Sequence, residues 1–215
     1  MVRLLSKERC KMNKIKQVLL TLWIFVWSLP LTLFGLITSL VLIICGKKPI
    51  KWGPAVRYEF GKNWGGIEFG GCFFATDTNT SYHTKCHEVG HLLQQAYFGP
   101  ISPFIISFPS ASRYWLRKMD TIKKKYIYSI ILTLIGVILF LIPFIFGIIF
   151  SVIWLSIISG LLILYIIIIG IWLIFLETPK YKTGKPYVKY DYFWVEGDAT
   201  KRGTNFMKKY YPDIK

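Results

Sequence analysis

From Tyr126 to Leu176 the chain runs for 51 residues without a charged side chain. One helix of that length would reach roughly 75 Å, against a bilayer hydrocarbon core of about 30 Å. Two antiparallel spans, near 127–147 and 153–176, fit instead, with a turn at Gly147–Ser151 just past Pro143. That turn carries no charge, whereas the polar segments elsewhere are rich in lysine. Lysine and arginine are retained on the cytoplasmic side, so the turn is expected outside and both flanks of the hairpin inside.

A second uncharged stretch, Val18–Cys45, covers 28 residues and carries Pro30 near its middle, in "WSLPLTLFG". A proline there removes a helix hydrogen bond and kinks the chain. Lysine and arginine flank the stretch on both sides. If it spans, one basic flank must face outward; if it folds back as a kinked, re-entrant or interfacial hairpin, both stay inside. The expected fold is therefore a mainly α integral membrane protein. It has a transmembrane helical hairpin, an N-terminal apolar helix or re-entrant hairpin, and a small α+β metal-binding region at the membrane surface. Four segments follow: 1–45, basic and then apolar; 46–125, a surface region; 126–176, the hairpin; and 177–215, a C-terminal segment.

The formal net charge is +16. Its lysines and arginines gather beside the apolar stretches, in "GKKPIK", "RKMDTIKKKY" and "PKYKTGK", interleaved with tyrosine and tryptophan. This is the pattern of a membrane interface, and anionic lipid headgroups are the expected partner. No nucleic-acid-binding motif accompanies the charge, which argues against nucleic acid as a partner. The four cysteines, at 10, 45, 72 and 86, have no paired spacing, so neither a disulfide frame nor a cysteine-rich zinc site is expected. "LVLIICG" resembles a lipoprotein cleavage box, but Ile44 stands where a small residue is required and the apolar run is too long for a signal peptide.

In the surface region, "AVRYEF" and "IEFGGCFFAT" surround the glycine-rich "GKNWGG", which predicts a β-hairpin between 55–60 and 67–76. "TDTNTS" then offers N-cap residues for a helix from about Ser81 to Phe98, closed by "FGP". That helix carries "HEVGH". His87 and His91 lie one turn apart on one face, where two imidazoles can grip one Zn²⁺. Glu88 projects beside them, where it can take a proton from an activated water. Gly90 costs about 1 kcal/mol inside a helix and leaves room for another backbone at the metal face. His83 is nominally on the same face but too near the helix start to converge, and Cys86 points about 100° away and reads as packing.

A catalytic zinc of this kind takes a third protein ligand. The candidates are Glu196 and its rival Asp198, in "YDYFWVEGDATKRG". Two spans separate His91 from Glu196, which returns both to the same side of the membrane.

"HEVGH", a two-span hairpin and then E-x-x-A in "EGDAT" are together similar to membrane gluzincins of the HtpX and CAAX-prenyl-endopeptidase type. The resemblance covers about a third of the chain. It implies zinc held by His87, His91 and Glu196, with Glu88 as general base. It departs from the pattern at Thr200, where those enzymes carry an aspartate, so it leaves open which group orients the zinc-binding histidine. "HEVGHLLQQAYFGP" followed by "FPS" also resembles uncharacterised bacterial membrane proteins with an H-E-x-G-H motif. Site-2-type intramembrane proteases are less similar, because here Thr84, Lys85, Gln94 and Gln95 flank the motif.

The expected function is a membrane-bound zinc endopeptidase in a bacterial cytoplasmic membrane. Its site faces the cytoplasm, and its substrate is a peptide or membrane protein. Tyr190 or Tyr192 is a candidate to hold the oxyanion, and the strand Ile67–Thr76 a candidate to pair with an extended substrate. The alternatives are a non-catalytic zinc-binding or structural membrane protein, and a zinc hydrolase of a non-peptide amide or lipid.

Overall fold

The computed structural model describes residues 14–62, 64–76, 81–182 and 189–214. The basic residues before Lys14 with Cys10, Asn63 in the glycine-rich turn, four of the N-cap candidates (77–80), part of "PKYKTGK" and Lys215 lie outside them. Along the chain come α1 (Lys14–Trp27), α2 (Leu29–Ile44), β1 (Ile50–Trp52), β2 (Ala55–Glu59), β3 (Gly66–Phe69), β4 (Cys72–Ala75), α3 (Tyr82–Phe98), α4 (Phe108–Lys118), α5 (Ile122–Ile149), α6 (Ile153–Ile171) and α7 (Trp194–Tyr210). The chain is mainly helical with a small mixed sheet. It divides into two compact units, residues 1–108 with 190–215, and residues 109–189.

The second unit holds α5 and α6, which pack along their length as an antiparallel pair. Ile122–Ile149 and Ile153–Tyr181 are long and apolar enough to cross a membrane, each holding an 18-residue stretch of mean hydropathy 2.9. The turn falls where the sequence places it. Val152 N–H donates to the Gly147 carbonyl at 2.7 Å, and Ser151 takes a positive φ of 55°. Small residues let the two helices approach: Gly170 lies against Thr133 and Gly136 against Ile166. At the other end, buried Arg113 of α4 meets buried Glu177 at 2.6 Å. Lys125 closes α4 by donating to the Leu116 and Met119 carbonyls at 2.7 and 2.6 Å.

The first unit is built on the four-stranded sheet, in the order β1-β2-β4-β3. The expected hairpin between 55–60 and 67–76 does not form. The segment 67–76 breaks at Gly70–Gly71, both at positive φ, and folds on itself as the antiparallel pair β3–β4. β2 then pairs in parallel with β4, and β1 completes an edge. β4 reads Cys-Phe-Phe-Ala and is buried on both faces, as the central strand of a covered sheet must be. Phe73 joins Trp52, Val89 and Leu92 under α3, with Ile24 of α1 in the same core. Phe74 joins Tyr58 and Cys72 on the opposite face, where Leu42 of α2 packs. The uncharged N-terminal stretch is thus two helices, not one. They meet at Ser28 and bend by 101°.

Candidate metal centre

α3 runs from Tyr82 to Phe98, and Ser81 caps it by accepting the Thr84 N–H at 3.1 Å. α7 packs along it at very close range. A Cβ on Gly90 would overlap the Ala199 carbonyl, and one on Gly203 would overlap the Cys86 carbonyl. The glycine inside the histidine motif therefore serves the close approach its position suggested. The small pair Ala199 and Gly203 on α7 answers Cys86 and Gly90 on α3.

This crossing brings Glu196, fully buried in the first turn of α7, to the two imidazoles. His87 Nε2 lies 3.0 Å and His91 Nε2 3.4 Å from Glu196 Oε2. The two Nε2 atoms are 3.1 Å apart. Three ligand atoms at 2.0–2.1 Å from a tetrahedral ion stand about 3.3 Å from one another, and the three separations here bracket that value. Chemistry agrees: both Glu196 oxygens are buried without a hydrogen-bond donor, which a cation would offset. His87, His91 and Glu196 can hold a metal.

The remaining ring nitrogens are also held. His87 Nδ1 lies 2.8 Å from the Thr200 hydroxyl, which donates to Asp191 Oδ1 at 3.0 Å. His91 Nδ1 lies 2.9 Å from Gln94 Oε1, and the Gln94 amide donates to the Val195 carbonyl at 2.8 Å and to Asp198 Oδ2 at 3.0 Å. With Nε2 turned to a metal, each Nδ1 carries the proton and donates outward. Each ring is thus backed by a carboxylate at one remove, Asp191 through Thr200 and Asp198 through Gln94.

Asp198, the rival ligand, is turned away from the imidazoles. It binds Gln94 and also accepts from Arg202 Nε at 2.6 Å. His83 is exposed and Cys86 is buried in the core, as the sequence implies. Tyr190 stands beside His87, ring centroids 5.9 Å apart, whereas Tyr192 is 70% exposed.

Glu88 is buried, with Oε2 lacking a hydrogen-bond partner and Oε1 facing Gly66 at the start of β3. Burial raises its pKa above the ordinary carboxylate value, against the pull of His87 and His91. Burial also works against charge on Glu196 and His91, but the contacts of Glu196 with His87 and His91, and of His91 with Glu196, prevail. Glu196 is held below the usual range and His91 is raised to about 9.

Four participants are not evident from the sequence motifs: Asp191, Gln94, Gln95 and Glu68. Buried Glu68 accepts the Gly71 N–H at 2.7 Å and a hydrogen bond from the Gln95 amide, while Gln95 Oε1 accepts the Gly70 N–H at 2.9 Å. Together they tie the β3–β4 turn to the helix bearing the histidines. Gln94 was detectable as the residue three after His91, but its polarity reads equally well as an exposed helix end.

No protein-family model, curated protein or solved structure matches this chain.

Proposed function

We propose that the chain is a zinc-dependent endopeptidase that hydrolyses peptide bonds near a membrane surface. The observation that carries this reading is the convergence of His87, His91 and Glu196, with their ligand atoms all within 4.8 Å of one another. A bound zinc ion supplies Lewis acidity toward a carbonyl and lowers the pKa of water to about 7. Glu88 adjoins both histidines and is kept out of bulk water. Its raised pKa suits a group that takes a proton from the attacking water and returns one to the leaving amine. Tyr190, beside His87, is the better placed of the two tyrosines to donate to the oxyanion. β3 is an edge strand of the sheet among the described residues, beginning at Gly66 against Glu88, and its outer side is the candidate to pair with an extended peptide. The lysine distribution favours a cytoplasmic location for the site.

The test is metal analysis of detergent-purified protein beside a cleavage assay of wild type and Glu88→Gln. Zinc in both proteins, with peptide cleavage only in wild type, supports the proposal. Wild-type protein free of zinc after purification without chelators sinks the metal reading. Zinc in both with equal turnover sinks the catalytic one.

A further inference from the structure

Neither arm of the N-terminal helix pair can cross a bilayer alone. α1 and α2 measure about 21 and about 24 Å, against a hydrocarbon core of about 30 Å. Laid end to end they would suffice, but the elbow at Ser28 turns the chain by 101°. The elbow is not free to open, because the arms straddle the small sheet. Ile24 of α1 sits in the core beneath α3, and Leu42 of α2 packs on the cluster across the sheet. Between them, Thr32 rests on Gly70, Gly35 on the Phe69 carbonyl, and the Trp27 ring on Gly99; a Cβ on any of these glycines would overlap its neighbour. The Trp23 indole also donates to the Ala96 carbonyl at 2.8 Å. Straightening the pair into a span breaks these contacts together.

The outward faces are apolar on both arms, with Val26 70%, Ile37 62%, Leu40 59% and Ile44 76% exposed. Lysines stand at both ends, Lys14 and Lys16 before the apolar run and Lys47, Lys48 and Lys51 after it. Two apolar arms closed at each end by cations fit one occupant, a single lipid leaflet. Acyl chains meet the outward faces of the two arms and anionic headgroups meet the lysines. The same chain carries two helices long and apolar enough to cross a membrane, so a bilayer is at hand.

We infer that α1 and α2 form a re-entrant wedge that enters one leaflet and returns, leaving both lysine clusters on the same face of the membrane. The β3–β4 turn rests on α2 through Gly70 and Phe69, so the wedge holds the edge strand beside Glu88 at the lipid boundary. The inference needs neither a bound metal nor turnover, and its test reads neither.

The full-length protein is reconstituted in sealed liposomes containing anionic lipid, with Cys10 and Cys45 changed to Ser and with Lys16→Cys and Lys48→Cys introduced together. A membrane-impermeant maleimide is added outside, and labels per molecule are counted by mass spectrometry. Ends on one face give molecules with two labels or none, whichever way each molecule is inserted. Ends on opposite faces give one label per molecule, and that result overturns the wedge. In a second arm, a fluorophore on Ile37→Cys is challenged with lipids brominated along the acyl chain and with aqueous iodide. Quenching by brominated lipid is expected; quenching by iodide alone places α2 in water and equally overturns it.

Discussion

Replacing Thr200 with valine removes one hydroxyl and keeps the branched shape. In the structure that hydroxyl is the partner of His87 Nδ1, at 2.8 Å, and it passes the contact to Asp191. His87 is buried, at 8% exposure, so its N–H has no ready substitute. Leaving a buried donor unmet costs about 1–3 kcal/mol, or about 5- to 150-fold in an equilibrium constant. The penalty falls on the metal-bound state, in which Nε2 must be the free nitrogen and Nδ1 the protonated one. Thr200→Val should therefore weaken zinc binding by about 10- to 100-fold, the range for groups behind a metal-ligating histidine. The assay is competition with a chromophoric zinc chelator in detergent. Thr200→Ser should stay within about threefold of wild type, because it keeps the hydroxyl. Thr200→Asp combined with Asp191→Asn should also recover most of the affinity, since it puts one carboxylate directly behind the ring. Zinc affinity in Thr200→Val within twofold of wild type would refute the relay. Equal losses in Thr200→Val and Thr200→Ser would show that side-chain shape, not the hydrogen bond, is what matters.

Other perturbations test other parts of the site. Glu88→Gln should keep zinc and lose peptide cleavage by at least about 100-fold, whereas His87→Ala or His91→Ala should lose the metal as well, read by metal analysis of purified protein. Gly90→Ala drives a methyl into the Ala199 carbonyl; overpacking of this kind costs about 1–3 kcal/mol, so thermal unfolding should come at a lower temperature and zinc affinity should drop with it. Burial raises Glu68 from an ordinary 4.5 to about 8. Between those values the unfolded chain binds fewer protons than the folded one, so this group's stabilising contribution is complete below about pH 4.5 and is lost as pH rises towards 8. Glu68→Gln should remove that part of the slope, read as the change in unfolding temperature between pH 5 and pH 8; parallel profiles for wild type and variant would count against it.

How much of this could be read from the sequence depended on whether the signal was local. α3 was legible because its signals are all short-range: Ser81 as cap, histidines four apart, and Gly99 after the last helical residue. The α5–α6 pair was legible from length alone, since 51 uncharged residues cannot make a single span. The sheet was not. Its strands have three to five residues each, and the parallel pairing of β2 with β4 is a non-local choice. It is driven by burying Phe73 and Phe74 on opposite faces. Alternation in Ile67-Glu68-Phe69 suggests a solvent-facing glutamate. Instead Glu68 turns inward to Gln95, because α3 covers that face of the sheet edge.

The candidate metal centre divides along the same line. Glu196 could be proposed because a two-span return and the E-x-x-A spacing both lead to it, and the close crossing at Gly90 and Gly203 explains how it reaches the imidazoles. No spacing rule points to Asp191. It lies on an exposed turn nine residues before Thr200, and its carboxylate reaches His87 only through that hydroxyl. The substitution of threonine for the expected aspartate at 200 looks like a loss when read as sequence. In the structure the negative charge is displaced by one hydrogen bond, and His91 has a matching arrangement through Gln94 and Asp198. Two neutral side chains thus separate both carboxylates from the rings. A histidine so backed keeps its tautomer and orientation while drawing less charge than from direct carboxylate contact.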